Sequence, residues 1–228
     1  MRKDYRIFEG LRVAVLVTFT SGFINSYTFN TQGMRFSGMQ TGNLLYMMIH
    51  FARGEYSETF SYLLPILSFI LGQFFTYYLR KWCKNHKKRW HALGSKMLLL
   101  FMIVIVFMVP FASRDIIIVS LAFFASIQLD TFKRVRGISY ANIMMTGNIK
   151  NVAQLFIKGF SEKKPKLLKQ SFYTLTMIIS FLIGVFISTV MTTYFFEASL
   201  FFTLIPLAIL TYLVHIEKYL TDFKHVIK

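Results

Sequence analysis

The sequence predicts an all-α fold: a polytopic helical membrane protein with six transmembrane helices plus two re-entrant half-helices, arranged as inverted-topology repeats. Three observations predict it. First, 55% of the 228 residues are hydrophobic and the mean hydropathy is +0.51; soluble domains run at roughly 45–50% apolar. Second, the apolar residues gather in long runs, such as 97–112 and 116–129. Third, Thr-Gly-Asn occurs twice, at residues 41–43 and 146–148, an offset of 105 (146 minus 41).

Eight helical segments follow in order, at about 11–30, 41–53, 60–80, 97–112, 116–132, 146–158, 169–195 and 199–216. The first comes after basic residues and is long enough to span. It lacks a small-residue cleavage site, so it is read as a helix and not as a cleaved signal. A bilayer core of about 30 Å takes about 20 helical residues. The segments 41–53 and 146–158 rise only about 20 Å each, at about 1.5 Å per residue. The second also carries Asn148, Lys150, Asn151 and Gln154, which lipid penalises. Such segments are tolerated at membrane depth only against protein or a wet cavity.

Charge decides between eight crossings and six. The net charge is +16. In a soluble protein that excess would point to nucleic acid, but no aromatic-basic motif interrupts the apolar pattern, and no nucleic-acid partner is expected. With eight crossings, the Lys and Arg residues divide 14 inside to 11 outside. With segments 41–53 and 146–158 re-entrant, they divide 22 inside to 3 outside (Arg35, Arg53 and Arg114), with Lys150 within a re-entrant segment. The second division is what the positive-inside rule requires. Both termini and the basic loop 80–96 then face the cytoplasm. The chain is a single membrane domain, 1–228.

The duplication extends past the tripeptides. Residues 41–54 read TGNLLYMMIHFARG and 146–159 read TGNIKNVAQLFIKG. Ser21 to Asn25 aligns with Ser126 to Asp130, and SFILGQF at 68–74 aligns with SFLIGVF at 180–186. Repeat one is 11–112 and repeat two 116–216. Three crossings per repeat is odd, so the second enters from the opposite face. Inverted repeats of this kind place transport sites near the midplane at the repeat interface.

Gly22 and Asn25 in the first helix, Met39-Gln40-Thr41-Gly42-Asn43 and Met144-Met145-Thr146-Gly147-Asn148 resemble the YoaK family of bacterial multi-pass membrane proteins, over nearly the whole chain. That resemblance implies an integral membrane protein and carries no substrate or reaction. Met145 replaces Gln40 in the second copy.

The expected pathway residues are Thr41, Gly42, Asn43, Thr146, Gly147, Asn148, Gln40, Asn25, Asp130 and Lys150. The threonine hydroxyls are suited to cap half-helices. The glycines allow close backbone approach, and the asparagines both donate and accept. The same groups also serve as a purely structural turn. Asp130 is an intramembrane carboxylate or an interfacial ion pair with Lys133 and Arg134. Gln128 is a weaker candidate. Lys150 attracts an anion or snorkels to the interface. Ser68, Gly72, Ser180 and Gly184 form small-xxx-small faces for helix packing. Cys83, His86 and His91 are too loosely spaced for zinc, so no metal or cofactor is expected.

The leading function is a channel or secondary transporter for a small polar solute. The alternative is a non-transporting scaffold or regulatory subunit, with its basic loops against anionic lipid. A membrane-embedded enzyme ranks third, because no nucleophile–base pair is visible.

Overall fold

The computed structural model describes residues 7–226, and the side-chain surroundings of residues 8–216. Arg2, Lys3, Arg6, Lys218, Lys224 and Lys228, which entered the charge count, lie outside the described side chains. Among the described residues the regular structure is helical apart from one small hairpin. The helices are α1 (Leu11–Thr31), α2 (Gln40–Ala52), α3 (Tyr56–Asn85), α4 (Trp90–Met108), α5 (Arg114–Thr131), α6 (Met145–Ser161), α7 (Pro165–Phe195) and α8 (Leu204–Val226). Short 3-10 turns occupy Ile7–Glu9 and Phe196–Thr203. Between α5 and α6, β1 (Arg134–Val135) pairs antiparallel with β2 (Ile138–Ser139). Arg136 and Gly137 turn this hairpin, both at positive φ, as a two-residue turn of the tight type demands.

Among the described residues, three helical segments are long and apolar enough to cross a membrane: Tyr56–Asn85, Trp90–Met108 and Pro165–Ile216, the last running from α7 through the 3-10 turn into α8. The other helices fall short for two different reasons. α2 and α6 are short and, in α6, polar. α1 and α5 sit at the centre, where residues 13, 14, 17, 18 and 20–28 of α1 are buried, as is most of α5. A helix enclosed by protein has no need of a lipid-like surface and can carry Thr, Ser, Asn and Gln. The outer helices show the reverse pattern. Leu71, Phe74, Phe107, Leu182 and Phe186 are each more than half exposed. Apolar exposure on this scale marks an interaction surface, here one suited to lipid.

The packing interleaves the two halves of the sequence. α1 lies on α7 and α5 lies on α3, while α2 rests on α3, α6 on α7, and α4 on α8. The same bond recurs in both pairs: Ser68 Oγ donates to the Val119 carbonyl at 2.6 Å and Ser180 Oγ to the Val15 carbonyl at 2.8 Å. A Cβ on Gly184 would overlap the Phe19 carbonyl, one on Gly22 the Phe181 carbonyl, and one on Gly72 the Ser126 side chain. Backbones can approach this closely only where side chains are small.

α1 and α5 run antiparallel. The Arg136 amide, just past α5, donates to the Glu9 carbonyl, just before α1, at 2.7 Å. At the other end Arg35, after α1, meets Asp115 in the first turn of α5 at 2.5 Å. Arg35 is buried, and its guanidinium also donates to the Gln32 and Ser61 carbonyls.

The structure shortens the expected loop at 80–96. α3 continues to Asn85 and α4 starts at Trp90, leaving only 86–89 between them. Lys and Arg are good helix formers, so both helices run on past their apolar stretches. α6 likewise continues to Ser161.

Candidate functional site

The segments joining α1 to α2 and α5 to α6 meet inside the protein. Gly38 and Ile143 lie 105 apart, at equivalent places in the two arms, and they touch: a Cβ on Gly38 would overlap the Ile143 side chain. Ile143 is fully buried. Around this contact lies a cluster of buried, uncharged polar groups. Asn25 accepts from the Gly38 amide at 3.0 Å and donates to the Ser21 carbonyl at 2.8 Å. Gln128 donates to Ser21 Oγ at 2.5 Å and to the Val17 carbonyl at 3.1 Å. Asn142 donates to the Phe132 carbonyl at 3.0 Å. Ser37 completes the group, bonded to Asn25 at 3.4 Å. The Gln128 side-chain oxygen, Oε1, finds no hydrogen-bond partner among the described residues. A buried amide oxygen without a partner is uncommon and costly.

The two Thr-Gly-Asn asparagines do the same work as each other. Asn43 is fully buried; its side chain accepts from the Phe36 amide at 2.9 Å and donates to the Phe36 carbonyl at 2.7 Å. Asn148, also buried, donates to the Ala141 carbonyl at 2.8 Å. Each amide therefore reaches back seven residues and fixes the arm that leads into its helix. The residue before each threonine also has a matching role: Gln40 accepts from the Asn43 amide at 2.8 Å, and the Met145 sulfur accepts from the Asn148 amide at 3.6 Å. The substitution keeps the geometry and exchanges a strong acceptor for a weak one.

The threonines are not caps. The caps are Met39 and Met144, neither with a side-chain bond, and Thr41 and Thr146 occupy the second helical position with exposed side chains. Backbone bonds close the first turn of α2 instead, from the Gly42 and Asn43 amides to the Met39 carbonyl. Gly42 lies under the Phe36 ring, whereas Gly147 has open space around it.

The charged candidates lie away from the Gly38–Ile143 contact. Asp130 pairs with Lys133, and with Arg80 at 3.4 Å. It lines a pocket of about 530 Å³ that also takes in His91 and Phe132. Lys150 is exposed and makes no ion pair among the described residues. A second pocket, of about 380 Å³, reaches Gly147, Asn148 and Asn151 past Lys133 and Tyr140. Partners also appear for two polar residues that had none in sequence: His50 pairs with Glu55 and stacks on Tyr62, and Gln73 donates to Ser126 Oγ at 2.8 Å.

Ser37, Gly38, Asn142 and Ile143 escaped the sequence reading. The 105-residue offset that relates the tripeptides also relates Ser37 to Asn142 and Gly38 to Ile143, and it was the one available signal. Neither pair shares a residue type, so no motif was visible.

The fold and this site define an all-helical protein of membrane character, with lipid-like outer helices around a polar centre. Over residues 13–213 the sequence matches the model of a family described as protein of unknown function, DUF1275. The chain belongs to that family. No curated protein and no solved structure matches it.

Proposed function

We propose that this protein is a multi-pass carrier or channel for a small polar solute in the bacterial cytoplasmic membrane, not an enzyme, with its pathway at the interface of two inverted repeats. α1, α3, α4, α5, α7 and α8 cross; α2 and α6 enter and return on opposite faces; both termini are cytoplasmic. The antiparallel course of α1 and α5 and the repeated α1–α7 and α5–α3 contacts support the inversion. The lysine and arginine distribution supports the orientation. The motif resemblance to the YoaK family agrees with this reading.

The observation that carries transport is the uncharged polar cluster of Ser21, Asn25, Ser37, Gln128 and Asn142, buried where the two arms meet. Polar groups deep in a membrane protein are costly and mark pathways, and the Gln128 oxygen has an acceptor site unspent. In this arrangement the Gly38–Ile143 contact closes the route. Ile143→Ala opens it. Proteoliposomes swelling in glycerol, urea or acetate gradients should respond faster with Ile143→Ala than with the parent, by about threefold or more, and Gln128→Leu should reverse the gain. If neither protein exceeds protein-free liposomes for any solute, transport is wrong. The close Gly38–Ile143 contact then favours the second reading, a scaffold or regulatory subunit.

Orientation has its own test. In a Cys83→Ser background, Lys88→Cys and Lys166→Cys should label with an impermeant maleimide only after the cytoplasmic face is opened. Ser57→Cys should label in intact cells. All three positions are exposed. Labelling of all three from one face would refute the six-crossing arrangement.

A further inference from the structure

We propose that the groove between α1, α7 and α8 holds one acyl chain of an anionic phospholipid, whose phosphate is bound by Arg12 and Lys169. The groove has a volume of about 500 Å³ and is lined almost wholly by apolar side chains, among them Leu16, Phe19, Ile183, Ile187 and Ile209. Along α7 its lining runs from Thr176 to Ile187, about 16 Å at 1.5 Å per residue, enough for much of an acyl chain.

Both ends of the argument come from helix geometry. On α1 the groove residues Leu16, Phe19 and Phe23 recur at helical spacing, and Arg12 is the next position back on the same stripe. On α7, Thr176, Ser180, Ile183 and Ile187 form the stripe, and Lys169 lies two turns before Thr176. The two helices run parallel here, since Thr18 meets Met177 and Ser26 meets Thr189. Arg12 and Lys169 therefore flank the same end of the groove. Both are exposed, and neither is ion-paired among the described residues. An apolar channel with two cations at one mouth complements a chain with an anionic head.

In the other half of the protein aromatic rings stand at the equivalent place. The residue equivalent to Ile187 is Phe75, 112 positions earlier. Its ring packs against Phe123 at 5.3 Å, and Phe123 against Phe101 at 5.8 Å. Where aromatic rings fill the space between α3, α4 and α5, a smaller Ile187 leaves it open beside α7. The groove is therefore a departure from the repeat and not a consequence of it.

The inference rests on the membrane reading, and the test separates the two. The detergent-solubilised full chain is titrated with phosphatidylglycerol or phosphatidylcholine, with retained lipid followed by native mass spectrometry and stability by thermal unfolding. The parent should retain one phosphatidylglycerol and prefer it at least fivefold over phosphatidylcholine. Arg12→Gln with Lys169→Gln should lose that preference, while Lys87→Gln with Lys88→Gln keeps it. Ile187→Phe, which copies the filled half, should lose the retained lipid and stay monodisperse. Equal response of the parent to the two lipids, or retention of lipid by Ile187→Phe, would overturn the site and leave the membrane reading intact. A protein that needed no detergent would overturn both. Should Ile187→Phe fail to fold, the two surface charge variants decide.

Discussion

Gly184→Leu should lower the unfolding temperature of the solubilised protein by about 6–12 °C, one of the two largest effects expected of a single change. Overpacking typically costs about 1–3 kcal/mol, and this site belongs at the top of that range. The atoms in the way are the Phe19 carbonyl and the Phe23 amide nitrogen, which are backbone and cannot rotate aside. At about 2–4 °C per kcal/mol for a chain of this size, about 3 kcal/mol gives the stated shift. The contact joins α1 to α7, so the variant should also loosen the interleaving of the two halves and expose the centre to protease. Gly147→Leu is the control: nothing lies within 4 Å of its Cβ position, and its unfolding temperature should hardly move. If both variants behave like the parent, the α1–α7 approach is not as close as described.

Asn43→Leu should be comparably severe. It strips partners from the Phe36 amide and carbonyl at once, and Asn43 itself is fully buried. An unsatisfied buried group costs about 1–3 kcal/mol, so the two together should cost about 2–6 kcal/mol. Asn148→Leu should cost about half as much, because it releases one backbone carbonyl and one weak sulfur contact. Gln40→Met, which gives the first arm the chemistry of the second, should be tolerated to within about 1 kcal/mol. Thermal unfolding of the three variants side by side checks the order. An equal loss for Asn43→Leu and Asn148→Leu would contradict the asymmetry of the two arms. A further decision comes from flux: a path lined by these amides would lose transport in proportion to neither bond count, whereas arms fixed by them would lose transport and stability together.

Much of this was legible in the sequence. The helices follow from apolar runs bounded by Gly, Pro and charge, and their order from chain position. The tripeptide pair located both short helices, because a duplication preserves spacing even where residue types drift. The boundaries were less legible. α4 begins seven residues before the expected 97, since Trp90 to Lys96 has helix-forming composition but no sustained apolar run. The threonine caps were misread for a related reason. A cap is recognised from a hydroxyl before an apolar run, yet here Met39 and Met144 take the position, and the arm itself, clamped by asparagine, sets the helix entry.

The sequence by itself determined the helical class, the membrane-like composition, the uneven distribution of basic residues and the recurrence of Thr-Gly-Asn at an offset of 105. Those are properties of local composition and of spacing, and both survive in one dimension. Only the tertiary structure decided that α1 and α5 are central, that Asn43 and Asn148 spend their amides on backbone, and that Gly38 closes against Ile143. It also decided that one half leaves a groove where the other is filled. The physical reason is the same in each case. The partners are backbone carbonyls and amides, which every residue carries, or apolar side chains about a hundred residues distant. Neither leaves a mark on the local pattern that a sequence can show.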